Sequence, residues 1–303
     1  MIENGNAARQ ILSDVRTRVA VASAKGGAGK SMVTVSLAAQ MAIMGRKVGI
    51  LDADFDAPSI ATMLGLMPGI LIPNGAAIEP ASGPLGLRTI GSDLIADAPL
   101  PLFRYEQPGS ADAALPTEDS IAPVNSADPY HLSATSLLRN GVAFGHLDLL
   151  LIDLPTGRSC LREIASVVEL HGLVVVTHSS PSALRATRSL IESAQSLGVA
   201  VLGIVENMTA FYCSQCRTVR PLLPRGGVFD LSREIKLPLL ARLPFDPQMA
   251  EACEQGRLFV QQFPDAPLTK QLADLTQKIK TALDQIPYHP LPNGGAASES
   301  RQV

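Results

Sequence analysis

Apolar residues in this chain fall into short unbroken runs, separated by longer stretches in which they recur at helical spacing. Arg18–Ala22 (RVAVA), Val48–Leu51, Leu147–Asp153 (LDLLLID), Leu173–Thr177, Val199–Glu206 and Leu239–Leu243 read as strands. Consecutive β-branched and apolar positions leave neither face for water, which is the pattern of strands covered on both sides. The helical spacing predicts helices at Ser31–Met44, Leu161–Leu170, Ser182–Leu197, Pro247–Glu254 and Leu268–Ile286. Gly45 supplies the left-handed position that ends the first of them. Strands alternating with helices predict an α/β fold: a doubly wound, mostly parallel sheet flanked by helices, with its site beyond the carboxyl ends of the strands.

The remainder is less regular. Residues 1–17 read as an arm, with a short helical pattern over Ala7–Val15, and 18–286 as the main domain. Residues 66–146 are rich in Pro, Gly, Ala and Ser; a strand near Leu87–Ile90 is the one element predicted there, and about 96–146 reads as a variable insertion. Residues 207–233 form a loop carrying two cysteines. From 287 to 303 the chain has no apolar period and is expected to be disordered.

Composition narrows the classes. With 303 residues, 46% of them hydrophobic, the chain can build a core that needs no metal for stability, so a metal site here would be functional. A net charge of −3 without any Lys/Arg block gives no footprint for nucleic acid. The longest apolar runs are too short to cross a bilayer, and MIENGNAARQ resembles neither a signal peptide nor an Arg-rich presequence. These features predict a cytoplasmic protein without nucleic-acid or membrane partners. Four cysteines are too few for a disulfide scaffold, so a closely spaced pair points to metal or redox chemistry.

Residues 23–31 read Ser-Ala-Lys-Gly-Gly-Ala-Gly-Lys-Ser, between a strand and a helix. This is a phosphate loop whose first glycine is replaced by Ala24. Gly26, Gly27 and Gly29 allow a tight turn with inward N–H groups, and the following helix adds its positive end. Gly26 through Met32, with Ala28 among them, is the expected nucleotide-binding run. Lys30 supplies charge for the β- and γ-phosphates and the Ser31 hydroxyl a ligand for Mg²⁺. Asp52, Asp54 and Asp56 follow the second strand (LDADFDAPS), where a carboxylate can orient water or hold metal. Asp153 closes LDLLLID as the acid that holds Mg²⁺ through water.

Cys213 and Cys216 stand at C-x-x-C spacing, which lets two thiolates reach one metal ion or cluster. One pair alone suits half a zinc site, half a cluster site or a redox dithiol. A symmetric dimer would supply the missing pair.

Lys25-Gly-Gly-x-Gly-Lys-Ser31 resembles the deviant phosphate loop of the proteins that include the nitrogenase iron protein, MinD and ParA, members of the SIMIBI-type P-loop NTPases. That resemblance implies that Lys25 reaches the partner subunit's phosphates and that Asp54 positions the attacking water. Taken with V-E-N-M-x-x-F-x-C-x-x-C over 205–216, D-A-D-x-x-x-P-S over 52–59 and Leu243-Pro244-Phe245-Asp246-Pro247, the chain resembles the Mrp/ApbC family across roughly residues 15–260. The resemblance implies a homodimeric, ATP-binding carrier with ATP or ADP and Mg²⁺ in each subunit. It implies a [4Fe-4S] cluster bridging Cys213 and Cys216 of both subunits, delivery to iron–sulfur apoproteins, and adenine contacts from Asn207 and from Pro244 to Asp246. Slow ATP hydrolysis would be the only catalysis.

The chain departs from that pattern after Asp153. The family run D-x-P-P-G-T-G-D is here Asp153-Leu-Pro-Thr156-Gly-Arg158-Ser159-Cys160, which puts hydrolysis in question. Cys160 has the same offset from Asp153 as a cluster ligand of the nitrogenase iron protein, or is a small residue at a helix start; Cys253 reads as packing. Two other readings stay open: a MinD- or ParA-like positional ATPase, and an ATPase with a structural zinc at its dimer interface.

Overall fold

The computed structural model describes residue 12 and residues 14–71, 78–95, 134–140, 142–213, 215–216, 218–223 and 226–285. Its frame is an eight-stranded sheet built from β1 (Arg18–Ala22), β2 (Val48–Asp52), β3 (Ala81–Ser82), β4 (Arg88–Ile90), β5 (Leu149–Asp153), β6 (Gly172–Thr177), β7 (Val201–Glu206) and a last strand, Leu239–Arg242. That last strand is β10, because a separate hairpin, β8 (Ala210–Tyr212) and β9 (Val219–Pro221), precedes it. The order across the sheet is β10-β7-β6-β1-β5-β2-β4-β3. All pairings are parallel except the edge pair β3–β4.

Helices among the described residues are α1 (Lys30–Ile43), α2 (Ile60–Met63), α3 (Ala134–Asn140), α4 (Ser159–Val167), α5 (Pro181–Ser196), α6 (Gly227–Glu234), α7 (Pro247–Glu254), α8 (Phe259–Gln262) and α9 (Pro267–Asp284). The two-residue period of the strands divides the core into two layers. Ala20, Ala22, Ile152 and Val175 face one side and pack with Leu161 and Ile164 of α4 and Leu190 and Ile191 of α5. Val19, Val21, Leu151 and Val174 face the other and meet Val33 and Leu37 of α1 and Leu272 and Leu275 of α9. Because both faces are covered, every position of β1, β2, β5 and β6 is buried. The doubly wound, mostly parallel sheet expected from the sequence is the fold observed.

The differences lie where short elements carry little periodicity. The segment expected to be a loop at 207–233 contains the hairpin β8–β9 and all but the last residue of α6. Residues 96–133 and 141 of the expected insertion lie outside the described residues, and its end holds α3, whose Leu137 and Leu138 are fully buried. Leu12 and Val15, placed in the arm by the sequence, are buried, and Val15 bridges Leu147 in parallel. Most of the pattern over Ala7–Val15, and residues 286–303, lie outside the described residues. Among the described residues no helix is long and apolar enough to cross a membrane.

Candidate functional site

The carboxyl ends of β1, β2 and β5 converge, and the loop after β1 curls over them. Gly27 and Gly29 take φ of 75° and 79°, left-handed values that glycine adopts without strain. Ser23 Oγ donates to the Lys25 carbonyl at 3.1 Å and closes the turn. The Gly157 N–H donates to the Ser23 carbonyl at 3.2 Å, which ties the segment after β5 to the loop. α1 then begins at Lys30 with its N–H groups toward the turn.

Asp153 is the hub. It is fully buried, and Lys30 Nζ forms an ion pair with its Oδ2; the lysine is itself only 6% exposed. Ser31 Oγ donates to the same oxygen at 2.6 Å, and Thr34 Oγ1 to Oδ1 at 2.6 Å. Lys30, Ser31 and Asp153, singled out in the sequence, thus meet in the structure, and Thr34 joins them without having been singled out. Its only signal was its position one helical turn after Lys30, where its hydroxyl also donates to the Lys30 carbonyl.

Asp52 and Asp54 divide the labour in a way the sequence did not reveal. Asp52 is buried and accepts three backbone hydrogen bonds: from Asp54 N at 3.1 Å, Ser59 N at 2.9 Å and Ile60 N at 3.0 Å. It shapes the loop 53–59 and satisfies the first N–H groups of α2. Burial raises its pKa to about 6, with nearby Asp153 adding to the rise, although the three N–H bonds work against it. Asp54 is half-buried at the bend and Asp56 exposed. Lys25 is exposed, and its Nζ donates to Ser182 Oγ at 2.8 Å at the start of α5.

Asn207, just past β7, is buried beside the loop. Its Nδ2 donates to the Ala28 carbonyl at 2.9 Å, and its Oδ1 has no partner. Gly29 is the residue that admits it, since a Cβ there would come within 2.3 Å of Nδ2. Met32 lies near the same point. Pro244 is half-buried and Asp246 is buried; Asp246 Oδ1 accepts from Gln248 N at 3.0 Å and caps α7. Burial raises its pKa as well.

Cys213 and Cys216 sit on the turn of the β8–β9 hairpin, Cys213 half-buried and Cys216 exposed. The Cys213 N–H donates to the Thr218 carbonyl at 3.0 Å, and Cys216 Sγ lies 3.0 Å from Thr218 Oγ1. Hydrogen bonds from Thr218, with one from Cys213, lower the Cys216 thiol to about 7. The hairpin is joined to the segment after β10. Thr209 N donates to Leu243 O at 3.0 Å, Phe245 N to Ala210 O at 2.6 Å and Tyr212 N to Phe245 O at 3.0 Å. Between them lies a cavity of about 460 Å³ bordered by Tyr212, Val219, Arg242, Pro244 and Asp246.

The other cysteines are different. Burial pushes Cys160 up to about 12 and Cys253 to about 11, so both are packed thiols rather than thiolates. Cys160 stands in the first turn of α4 and packs on the core. Thr156, Arg158 and Ser159 of the altered segment are exposed. A second cavity, about 280 Å³, opens at the opposite, amino ends of the strands. Its Arg46 and Lys280 are engaged by its own acids, Asp148 and Asp284, and the phosphate loop lies at the far end of the sheet. Among the described residues no group of three or more His, Cys, Asp or Glu converges on a metal position.

A family model described as ParA, NUBPL iron-transfer P-loop NTPase, matches residues 14–101 and 110–280. The iron–sulfur cluster carrier protein of Saccharolobus solfataricus is 32% identical over 270 residues, covering 88% of this chain and 84% of that protein. The cytosolic Fe-S cluster assembly factor NUBP2 of Bos taurus is 32% identical over 278 residues, covering 88% of this chain and 93% of that protein. Among solved structures, a nucleotide-binding protein from Archaeoglobus fulgidus in complex with ADP superimposes with a TM-score of 0.64 at 29% identity, over 84% of this chain and 92% of that one. The cell division ATPase MinD of Pyrococcus furiosus, at 20% identity and a TM-score of 0.57, shares the fold over 88% of this chain and 100% of its own.

Proposed function

The chain belongs to the NUBPL iron-transfer P-loop NTPase family, and on that premise we propose that it is an ATP-binding iron–sulfur cluster carrier. Two copies hold one [4Fe-4S] cluster as cargo on Cys213 and Cys216 of each and pass it to iron–sulfur apoproteins. The observation that carries this reading is the cysteine pair, Cys213 half-buried and Cys216 exposed, on a hairpin that begins three residues after Asn207, whose side chain is bonded to the phosphate loop at Ala28. A cluster takes about four thiolates. One chain offers two on that turn, so a two-fold dimer completes the set.

The nucleotide fits residues that are otherwise hard to explain. Asn207 Oδ1 is a buried acceptor without a partner, and the adenine amino group is a donor that satisfies it. Gly27 and Gly29 hold the turn open for phosphate oxygens. Lys30 exchanges its carboxylate for those oxygens. Ser31 and Asp153 are the side chains suited to Mg²⁺, which shields phosphate charge when bound. Lys25, exposed and bonded to Ser182 Oγ, reaches the partner's phosphates, and Asp54 orients water. With Thr156, Arg158, Ser159 and Cys160 in the adjoining segment, hydrolysis is slow and serves to time release. The relatives' names include cytosolic factors, which suits a cytoplasmic protein with reduced thiols.

Anaerobic reconstitution with ferrous iron and sulfide tests the reading. It predicts about four iron atoms per dimer, a broad thiolate-to-iron absorption, and loss of both in Cys213→Ala. Zinc without iron or sulfide in anaerobically purified protein, or a signal unchanged in Cys213→Ala, overturns it in favour of a structural metal or none.

A further inference from the structure

Thr218 holds a position that neither the family pattern nor the cysteine spacing assigns. It follows Cys216 by two residues, and both its backbone and its side chain are turned to the cysteines. Its carbonyl accepts from the Cys213 N–H at 3.0 Å and closes the turn. Its hydroxyl oxygen lies 3.0 Å from Cys216 Sγ. A thiol can give or take a hydrogen bond, but a metal-bound thiolate has no proton to give. In the loaded state the hydroxyl is therefore the donor. Among the described residues no hydroxyl stands against Cys213 Sγ as Thr218 does against Cys216, so the two ligands of one chain differ in their electronics.

We propose that Thr218 is a positioning residue for cluster handling: its hydroxyl donates to Cys216 Sγ, fixes that side chain beside Cys213, and weakens the sulfur as a donor to iron, so that the Cys216 bond is the first to yield on transfer. The proposal rests on the carrier reading above. Hydrogen bonds to ligand sulfurs withdraw electron density and raise the reduction potential of the cluster they hold. Sulfur bonded by a hydroxyl is also a poorer competitor against an incoming thiolate. A carrier benefits from one such labile ligand in each chain, because it must grip its cargo and still let it go.

The test compares Thr218→Val, which keeps the shape and removes the hydroxyl, with Thr218→Ser, which keeps the hydroxyl. In metal-free, reduced protein, limiting iodoacetamide and mass spectrometry give the ratio of alkylation at Cys216 to that at Cys213. Cys213 serves as the internal control for an intact hairpin. The expected result is a several-fold fall in that ratio at neutral pH in Thr218→Val and its recovery in Thr218→Ser. In anaerobically reconstituted protein, Thr218→Val should hold its cluster longer against a chelator and show a lower reduction potential, again recovered by Thr218→Ser. An unchanged ratio in Thr218→Val, or no recovery in Thr218→Ser, overturns the proposal. Failure of wild-type protein to take up iron and sulfide overturns the carrier reading, while the alkylation ratio still decides whether the hydroxyl acts on the sulfur.

Discussion

Asn207 donates from Nδ2 to the Ala28 carbonyl across 179 positions of sequence, at 2.9 Å. One side chain thus fastens the phosphate loop to the strand end from which the cysteine hairpin departs. Removing it in Asn207→Ala leaves a buried carbonyl without its donor, at a cost of about 1–3 kcal/mol. It also deletes the unpartnered buried acceptor that the proposed function assigns to adenine. The expected outcome is a lower melting temperature and an ADP affinity weaker by about tenfold or more, since about 1.4 kcal/mol is a factor of ten. Thermal unfolding and calorimetric titration check the two effects separately.

Gly29→Ala should be harsher. The new Cβ would lie within 2.3 Å of Asn207 Nδ2, and the backbone at φ 79° is a conformation that side chains resist by roughly 1–2 kcal/mol. Asn207 would be displaced from Ala28. ADP binding should vanish in Gly29→Ala while the sheet survives, as read by circular dichroism alongside titration.

Lys30 and Asp153 form a buried pair, which on the proposed function breaks when phosphate takes the lysine. Lys30→Met alone leaves a buried carboxylate with only Ser31 and Thr34 as donors, and losing one partner of such a pair costs about 3–5 kcal/mol. Adding Asp153→Asn removes the stranded charge. The double variant should be more stable than the sum of the two single effects by at least about 1 kcal/mol. Urea unfolding of the four proteins of this cycle measures the difference.

Asp52 makes stability depend on pH in an unusual direction. Its folded pKa, about 6, lies above the ordinary 3.8 because burial disfavours the charge. Between those values the native state binds the proton more tightly than the unfolded chain, so stability falls as pH rises through the window and is level above about 6. Two units correspond to an upper limit of about 3 kcal/mol. Relative to Asp52→Asn, which does not titrate, the wild-type protein should lose stability from pH 4 to pH 6 and hold the difference constant beyond. Denaturant midpoints of both proteins at pH 4, 5, 6 and 7 give the comparison.

Much of this site could be read from residue order. The phosphate loop, Lys30, Ser31 and Asp153 announce themselves because a strand, a turn and a helix must follow one another at fixed spacing. The fold follows from strands so apolar that both faces demand cover. The hairpin β8–β9 stayed hidden because its strands have three residues each and β9 is wholly exposed, so no alternation marks it. α3 stayed hidden inside a Pro- and Ser-rich stretch, where Ala134, Leu137 and Leu138 are the described residues that reach the core. Asp52 reads in the sequence as a metal or water ligand, whereas in the fold its oxygens accept from the backbone of Asp54, Ser59 and Ile60. Thr34 and Thr218 carry no motif: each matters through one hydroxyl whose partner is set by packing.

On the proposed function, the hairpin also predicts a route by which nucleotide would influence cluster release. Thr209, Ala210 and Tyr212 are laced to Leu243 and Phe245 by backbone hydrogen bonds, and the Phe211 and Phe245 rings stack with centroids 6.5 Å apart. Phe245, within the segment expected beside adenine, is therefore tied to β8, the strand that ends at Tyr212, one residue before Cys213. Coupling of two sites requires such a shared element with different preferences in the two ligand states. Phe211→Ala removes the stacked ring and leaves the backbone ladder, Asn207 and both cysteines in place. Cluster uptake and ADP affinity should each stay within about twofold of wild type, well under the factor of ten that about 1.4 kcal/mol represents. The ratio of cluster-release rates with and without ATP should move toward one. Release to a chelator, followed by loss of the thiolate-to-iron absorption, measures that ratio. If it is unchanged in Phe211→Ala, the stacked pair does not carry the signal and the coupling runs through the ladder alone.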